Sequence, residues 1–370
     1  MRVTGTVRRA WVLVAALAVV PVAASACGGS EPEVRPTTLV TTTKPEPVPL
    51  TLEVARREYR AFLANDDVAR AAGDERLALT WVSDGESALT AAEYRRAAFD
   101  GDPVKRYDYG TPKLYVPKLE PDVYPQWFVA SVPRQERGDS KSRRTVLMAF
   151  ILRAPGERWT LSLRTVLTPK AKEPKVVVDA YGYAEPMNTA DTSVLIRPRE
   201  VPGIQATVAS EGPDSVAARV MKSGPLTTGY YATARKERRR ARAKGLTRTT
   251  VITATPYPIF QLRTENGGGL VLYSLFRNTV TGVEDEEDET AKPPIPPEAE
   301  HLLDGTVEGD EVHVFETLQF AAFDPARPKE GRGGGNGDRG RTPARPKAEV
   351  IAEAGGVHSA DTPEEKKTPN

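Results

Sequence analysis

The stretch RRTVLMAFILRAPGERWTLSLRTVL, residues 143–167, limits the fold more than any other part of the chain. Val146 to Leu152 is an unbroken apolar run, of the length and kind of a strand buried on both faces. Pro155-Gly156 supplies a turn. Beyond it Trp159, Leu161, Leu163, Thr165 and Leu167 alternate with Thr160, Ser162 and Arg164, the period of a second strand with two distinct faces. The pair is therefore an antiparallel hairpin.

What precedes the hairpin is helical. Leu52, Ala55, Tyr59, Phe62 and Leu63 form one apolar stripe, with Thr51 as its N-cap and Gly73 as its stop. DERLALTWVSDG and TAAEYRRAAFDG predict two shorter helices, each closed by Asp-Gly. KRYDYGTPKLYVPKL and YPQWFVASVPR then read as aromatic and β-branched strands cut by proline. The same order returns later in the chain. DSVAARVMK and GYYATARKERRRARAKG read as helices, and RTTVITATPYPIFQLRTENGGGLVLYSLFRNTV as strands with ENGGG at 265–269 as a hairpin turn. EVHVFETLQFAAF adds a strand ending near Phe323.

Helices followed by antiparallel strands, twice over, predict an α+β fold rather than parallel βαβ units. The expected division is a first α+β domain over 51–168, an inter-domain segment over 169–203, a second α+β domain over 204–325 and a disordered Gly/Pro/charge-rich tail over 326–370. This order resembles the NTF2-like or cystatin-like group, in which helices pack on a curved antiparallel sheet. With segments such as FQLRTENGGGLVLYSL and the N-terminal features below, the chain over residues 1–325 resembles a group of Streptomyces-type lipoproteins of unestablished function. The resemblance implies a fold and a location, and no active site. It also implies a pocket between helices and sheet, where Tyr59, Trp81, Trp127 and Phe150 are candidate lining residues; plain core is the more ordinary role for such side chains.

The start of the chain reads as an export signal. Arg2, Arg8 and Arg9 precede an apolar run from Trp11 that ends in small residues at Ala26, too short for a comfortable transmembrane helix. Cys27 is the single cysteine, and it follows Ala24-Ser25-Ala26. A structural disulfide needs an even number. ASAC resembles the lipobox of bacterial lipoproteins, which implies cleavage between Ala26 and Cys27 and a lipid, palmitate included, on Cys27; an ordinary A-x-A signal cuts at the same place. Arg8-Arg9 fits a Sec or a twin-arginine leader. Two acyl chains suffice for stable anchoring where one does not. Residues 27–50, rich in Pro, Thr and Glu, are then a flexible linker lifting the rest off the membrane. The expected location is the extracellular face of the cell membrane.

Chemistry is sparse. Lysine plus arginine number 51 against 50 acidic residues, which argues against a general nucleic-acid binder. GESAL at 85–89 approaches the G-x-S-x-G elbow but lacks its second glycine, so Ser87 reads as a serine beside a helix. No serine is followed three residues later by lysine. His301, His313 and His358 fall in a proline-flanked loop, a strand and the tail, with no metal-ligand spacing, so neither a metal nor another cofactor is expected. GNGDRG at 335–340 matches the dinucleotide pattern but lacks the flanking strand and helix. The expectation is a non-enzymatic ligand- or protein-binding accessory, with an envelope enzyme or an assembly factor as alternatives.

RKERRRARAK, residues 235–244, carries seven basic residues and one acidic, and EDEEDE at 284–289 is acidic throughout. Each reads first as a solvated surface, and the two can pair with each other. The basic helix also suits anionic lipid headgroups or wall polymers. Cys27→Ser is expected to move the protein from the membrane fraction to the soluble one. Arg238, Arg239 and Arg240 to Glu should then lower binding of the released chain to anionic liposomes in a flotation assay. Retention in the membrane argues against the lipid, and unchanged liposome binding against the helix contact.

Overall fold

In a computed structural model of the chain, the residues described are 48–284, 292–303, 305–328 and 345–363. Ala26, Cys27, nearly all of the linker, most of the acidic run and GNGDRG lie outside them. Helix α1, Leu52–Ala72, begins where Thr51 Oγ1 accepts the Val54 N–H at 3.1 Å and ends at Gly73 in the left-handed conformation, φ 65°. Helix α2 is Glu75–Leu79 and α3 is Asp84–Asp100. The Asp84-Gly85 pair expected to close a helix instead opens α3. Strands β1 (Tyr107–Tyr109), β2 (Lys113–Tyr115), β3 (Gln126–Glu136), β4 (Asp139–Leu152) and β5 (Thr160–Leu167) complete the first half.

The second half contains α4 (Val201–Glu211) and α5 (Thr228–Arg242). Its strands are β6 (Leu246–Ala254), β7 (Phe260–Arg263), β8 (Gly269–Val283), β9 (Glu311–Asp324) and β10 (Glu349–Asp361). DSVAARVMK is a 3-10 turn over Val216–Arg219 rather than an α-helix, and the helix of this region is α4, entered through Pro202.

All ten strands belong to one antiparallel sheet in the order β1-β3-β4-β5-β10-β9-β8-β6, with β2 pairing β3 and β7 pairing β8. The order is palindromic. In each half the first two strands lie along the third, the third pairs the fourth and the fourth pairs the fifth. The two fifth strands meet antiparallel at the centre, Ala352 opposite Leu167 and Glu353 opposite Val166. The described residues fall within one compact unit. The expected boundary between domains 51–168 and 204–325 is therefore bridged by the sheet. The expected disordered tail contributes β10, which fills the sheet's centre over Glu349–Asp361. His358, expected in that tail, is a strand residue beside Phe276.

Register fixes which residues share a face. Leu167, Ala352, Ala321 and Leu272 lie side by side in a cluster that spans both halves and takes in Val176 and Ala184 of the segment between them. On the opposite face there are two separate clusters. One packs Ala55, Tyr59 and Phe62 of α1 on Phe128, Met148 and Phe150, with Phe128 and Phe150 stacked at 4.8 Å. The other packs Val201, Ala206 and Val208 of α4 on Val271, Tyr273 and Phe320. Val166, Glu353 and Phe320 are successive register partners on this face, which places both helical layers on one side of the sheet.

The strict alternation expected of 159–167 is broken. Leu161 pairs Phe150 and Leu163 pairs Ala149, so Ser162 is an extra residue, a bulge. Trp159 and Leu161 consequently pack beneath α1, while Leu163 and Leu167 pack on the other face. Among the described residues no helix is long and apolar enough to cross a membrane.

The three tryptophans among the described residues, Trp81, Trp127 and Trp159, all lie in the first half, and Trp127 packs against the shared cluster that holds Ile351. Ile351→Ala, in the shared cluster, should cost about 2–5 kcal/mol. It should lower the urea midpoint of the tryptophan fluorescence in a single transition. An unmoved fluorescence midpoint would show that the halves unfold independently.

Candidate functional site

Between the two helical layers the sheet's central strands are spanned by α3. Close approach is possible because Gly85 has no side chain: a Cβ there would stand 2.7 Å from Thr317 Cγ2 on β9. The space left beneath and beside α3 is a cavity of about 450 Å³ walled by α3, β1, β3, β5, β9, β10 and the 298–301 segment. That volume lies within the range of small-molecule sites.

Charged groups converge on it. Glu86, from the GESAL stretch, is 1% exposed and faces Arg164 Nη2 at 2.6 Å. Arg164 reaches this side of the sheet beyond the Ser162 bulge, where the sequence pattern suggested only an outer face. Neither Glu86 oxygen has a hydrogen bond of good geometry. Burial pushes the Glu86 carboxyl above the usual carboxylate range, and Arg164 offsets this only in part. Arg70 of α1 is held by Asp66 through Nε and by Glu93 of α3 in a two-pronged pair at 2.7 and 2.9 Å. Burial works to raise Glu93, but Arg70 overrides it and holds that carboxyl below its usual range. Arg70 is thereby a clamp joining α1 to α3.

Arg134 on β3 differs. Its guanidinium lies over the Tyr107 ring at 4.2 Å and has no ion-pair or hydrogen-bond partner among the described residues. Gln319 on β9 is fully buried. Its Oε1 accepts the Arg164 backbone N–H at 2.9 Å, and its Nε2 is left without a partner. The two ring nitrogens of His301 also lack partners, and burial, with Arg96 nearby, holds its pKa below the ordinary value. Gly356 forms part of the wall, and a Cβ there would meet only Leu89 Cδ2, at 4.0 Å.

None of the four aromatic candidates lines this cavity. Tyr59 and Phe150 belong to the core under α1, Trp81 carries Arg158 over its ring at 4.5 Å, and Trp127 packs on Phe260 across the sheet. Ser87 lies on α3 one residue beyond the acid that matters. His313 is on β9 with Glu311 at 2.8 Å. The seven basic residues of 235–244 are all exposed on or just after α5, and Arg242 faces Glu284 at 3.9 Å. No group of three metal-ligating side chains converges among the described residues.

A family model described as "Domain of unknown function (DUF8094)" matches residues 46–344. The chain belongs to the DUF8094 family. The matched range contains every residue of the cavity wall except those of β10. An "Uncharacterized lipoprotein" of Streptomyces avermitilis is 26% identical over 225 residues, covering 59% of this chain and 63% of the relative, so the chain spans somewhat under two thirds of that protein's length. No solved structure matches.

The Glu86 carboxyl is raised in the folded chain, so its contribution favours folding at low pH and is lost as pH rises above the ordinary carboxylate range. Glu86→Gln should therefore gain stability relative to the wild type as pH rises above the ordinary carboxylate range, measured by urea unfolding. Arg164→Met strands the acid and should cost about 3–5 kcal/mol at the higher pH and less at the lower. A pH-independent difference for Glu86→Gln would refute this description of the pair.

Proposed function

We propose that this protein is a lipid-anchored, extracytoplasmic accessory of the cell envelope that binds a small ligand without transforming it. Three things support the anchor: the basic and apolar leader, the lone Cys27 after Ala26, and the name of the Streptomyces relative. The observation that carries the binding role is the cavity over the sheet's centre, in which the buried Gln319 Nε2 lacks a partner and Arg134 makes no ion pair among the described residues. Orphaned buried polar atoms cost stability, and a ligand is the simplest thing that satisfies them. The palindromic strand order supports the finer reading of the two halves as related NTF2-like or cystatin-like units sharing one sheet. The basic side chains of α5 support a contact with anionic lipid or wall polymer near the anchor.

One observation favours an envelope enzyme instead: a buried carboxyl raised by desolvation beside an arginine is a common general acid. Binding is preferred because the wall's unengaged groups, Arg134 and the Gln319 N–H₂, are suited to holding a ligand.

Gly356→Val places a side chain in open space on the cavity wall and leaves the packing around it intact. The low-molecular-weight fraction of an envelope extract should raise the Tm of the wild type and fail to raise that of Gly356→Val. An equal shift in both variants sinks the pocket reading. Consumption of the ligand during the assay replaces it with the enzyme reading.

A further inference from the structure

The cavity's charged groups are unequally engaged, and the inequality identifies a ligand class. Arg70 is saturated by Asp66, Glu93 and the Lys105 carbonyl. Arg96 is taken by Asp100 at 2.6 Å and by the Pro297 carbonyl. Arg164 faces Glu86. Asp66 and Glu93 thus share Arg70, Glu86 faces Arg164, and Glu298 is exposed at the rim. Arg134 alone among these arginines is half-buried and unmatched. Its register partners do not neutralise it, Tyr109 on β1 and the exposed Arg144 on β4; Glu86 and Glu93 feel its charge across the cavity but are bonded to Arg164 and Arg70.

A guanidinium lying over an aromatic ring keeps its in-plane N–H groups free, and those groups match a carboxylate or phosphate. Gln319, buried under Gly85 of α3, is a further polar group of the wall. Its amide orientation is set by the hydrogen bond that Oε1 accepts, so the unpartnered atom is the N–H₂ group. Leu89, Val166 and Val357 supply apolar wall, and Gly356 leaves room. We propose that the cavity receives a small organic anion, its carboxylate or phosphate head at Arg134 and its apolar body against Leu89, Val166 and Val357. This rests on the pocket reading above and adds the sign and shape of the ligand.

The test is calorimetric titration of the full-length Cys27→Ser chain with four probes of equal chain length: hexanoate, hexyl phosphate, hexanol and hexylammonium. The anions should bind more tightly than the alcohol or the amine. Arg134→Gln should weaken the anions by about tenfold or more and leave hexanol unchanged, while Arg134→Lys retains part of the affinity. Preference for hexanoate assigns a carboxylate head and preference for hexyl phosphate a phosphate head; either supports the proposal. Equal binding of all four probes, no binding of either anion, or anion affinity untouched by Arg134→Gln overturns it. Anion binding that survives in Gly356→Val shows instead that the cavity is not where ligands go, and the pocket reading falls with it.

Discussion

The structure depends on the antiparallel pairing of β10 with β5 on one side and β9 on the other. Without the β10–β5 pairing there are two four-ladder half-sheets, each with an open edge and half of an apolar face. With it, Leu167, Ala352, Ala321 and Leu272 form one continuous buried row. The pairing to β5 is short and that to β9 long, so β10 belongs to the second half by its hydrogen bonds and to both halves by its burial. An exposed pair of strand edges at this point would be a site for association between copies.

The same seam explains the cavity. Each half brings its own helices to the same side of the sheet, α1 over one and α4 over the other. Helix α3 packs on the central strands β5, β9 and β10, on the small footprint of Gly85 against Thr317. Polar groups are tolerated there because the apolar clusters end on either side. Arg70, bound to Asp66 and Glu93, fixes α1 and α3 to each other and so sets the height of the roof.

Much of the fold was legible in the sequence because local patterns and tertiary environment agree. The stripe Leu52–Leu63, the Thr51 cap and the Gly73 stop appear where their pattern places them, and 146–167 is a pair of antiparallel strands as expected, though its second strand breaks period at Ser162. Three features were not legible, each for a physical reason. β10 reads EVIAEAGGVHSAD, with small residues and adjacent glycines where a central strand usually has branched ones; it is buried by its neighbours rather than by its own pattern. The bulge at Ser162 turns Arg164 inward, and a one-residue slip leaves no mark in an alternating sequence. Glu86, Arg134 and Gln319 come from α3, β3 and β9, so their convergence is a property of the sheet order alone. The one local signal was GESAL, where the glycine permits close packing and the glutamate, not the serine, faces the cavity.

The position of β10 also has a consequence for how the molecule is made. Leu167 and its partner Ala352 are about 185 residues apart in the chain (352 minus 167). Contacts so distant in sequence form late and slowly, because a long loop must close before they repay its entropy. The first half can gather its helices and hairpin early, yet its fifth strand has no neighbour on one side until Asp361 has arrived. Until then the chain carries an unfinished edge and an open roof over the midline. Completion of the sheet and closure of the cavity wall are thus a single event, and a chain able to hold a ligand is necessarily one that has finished folding.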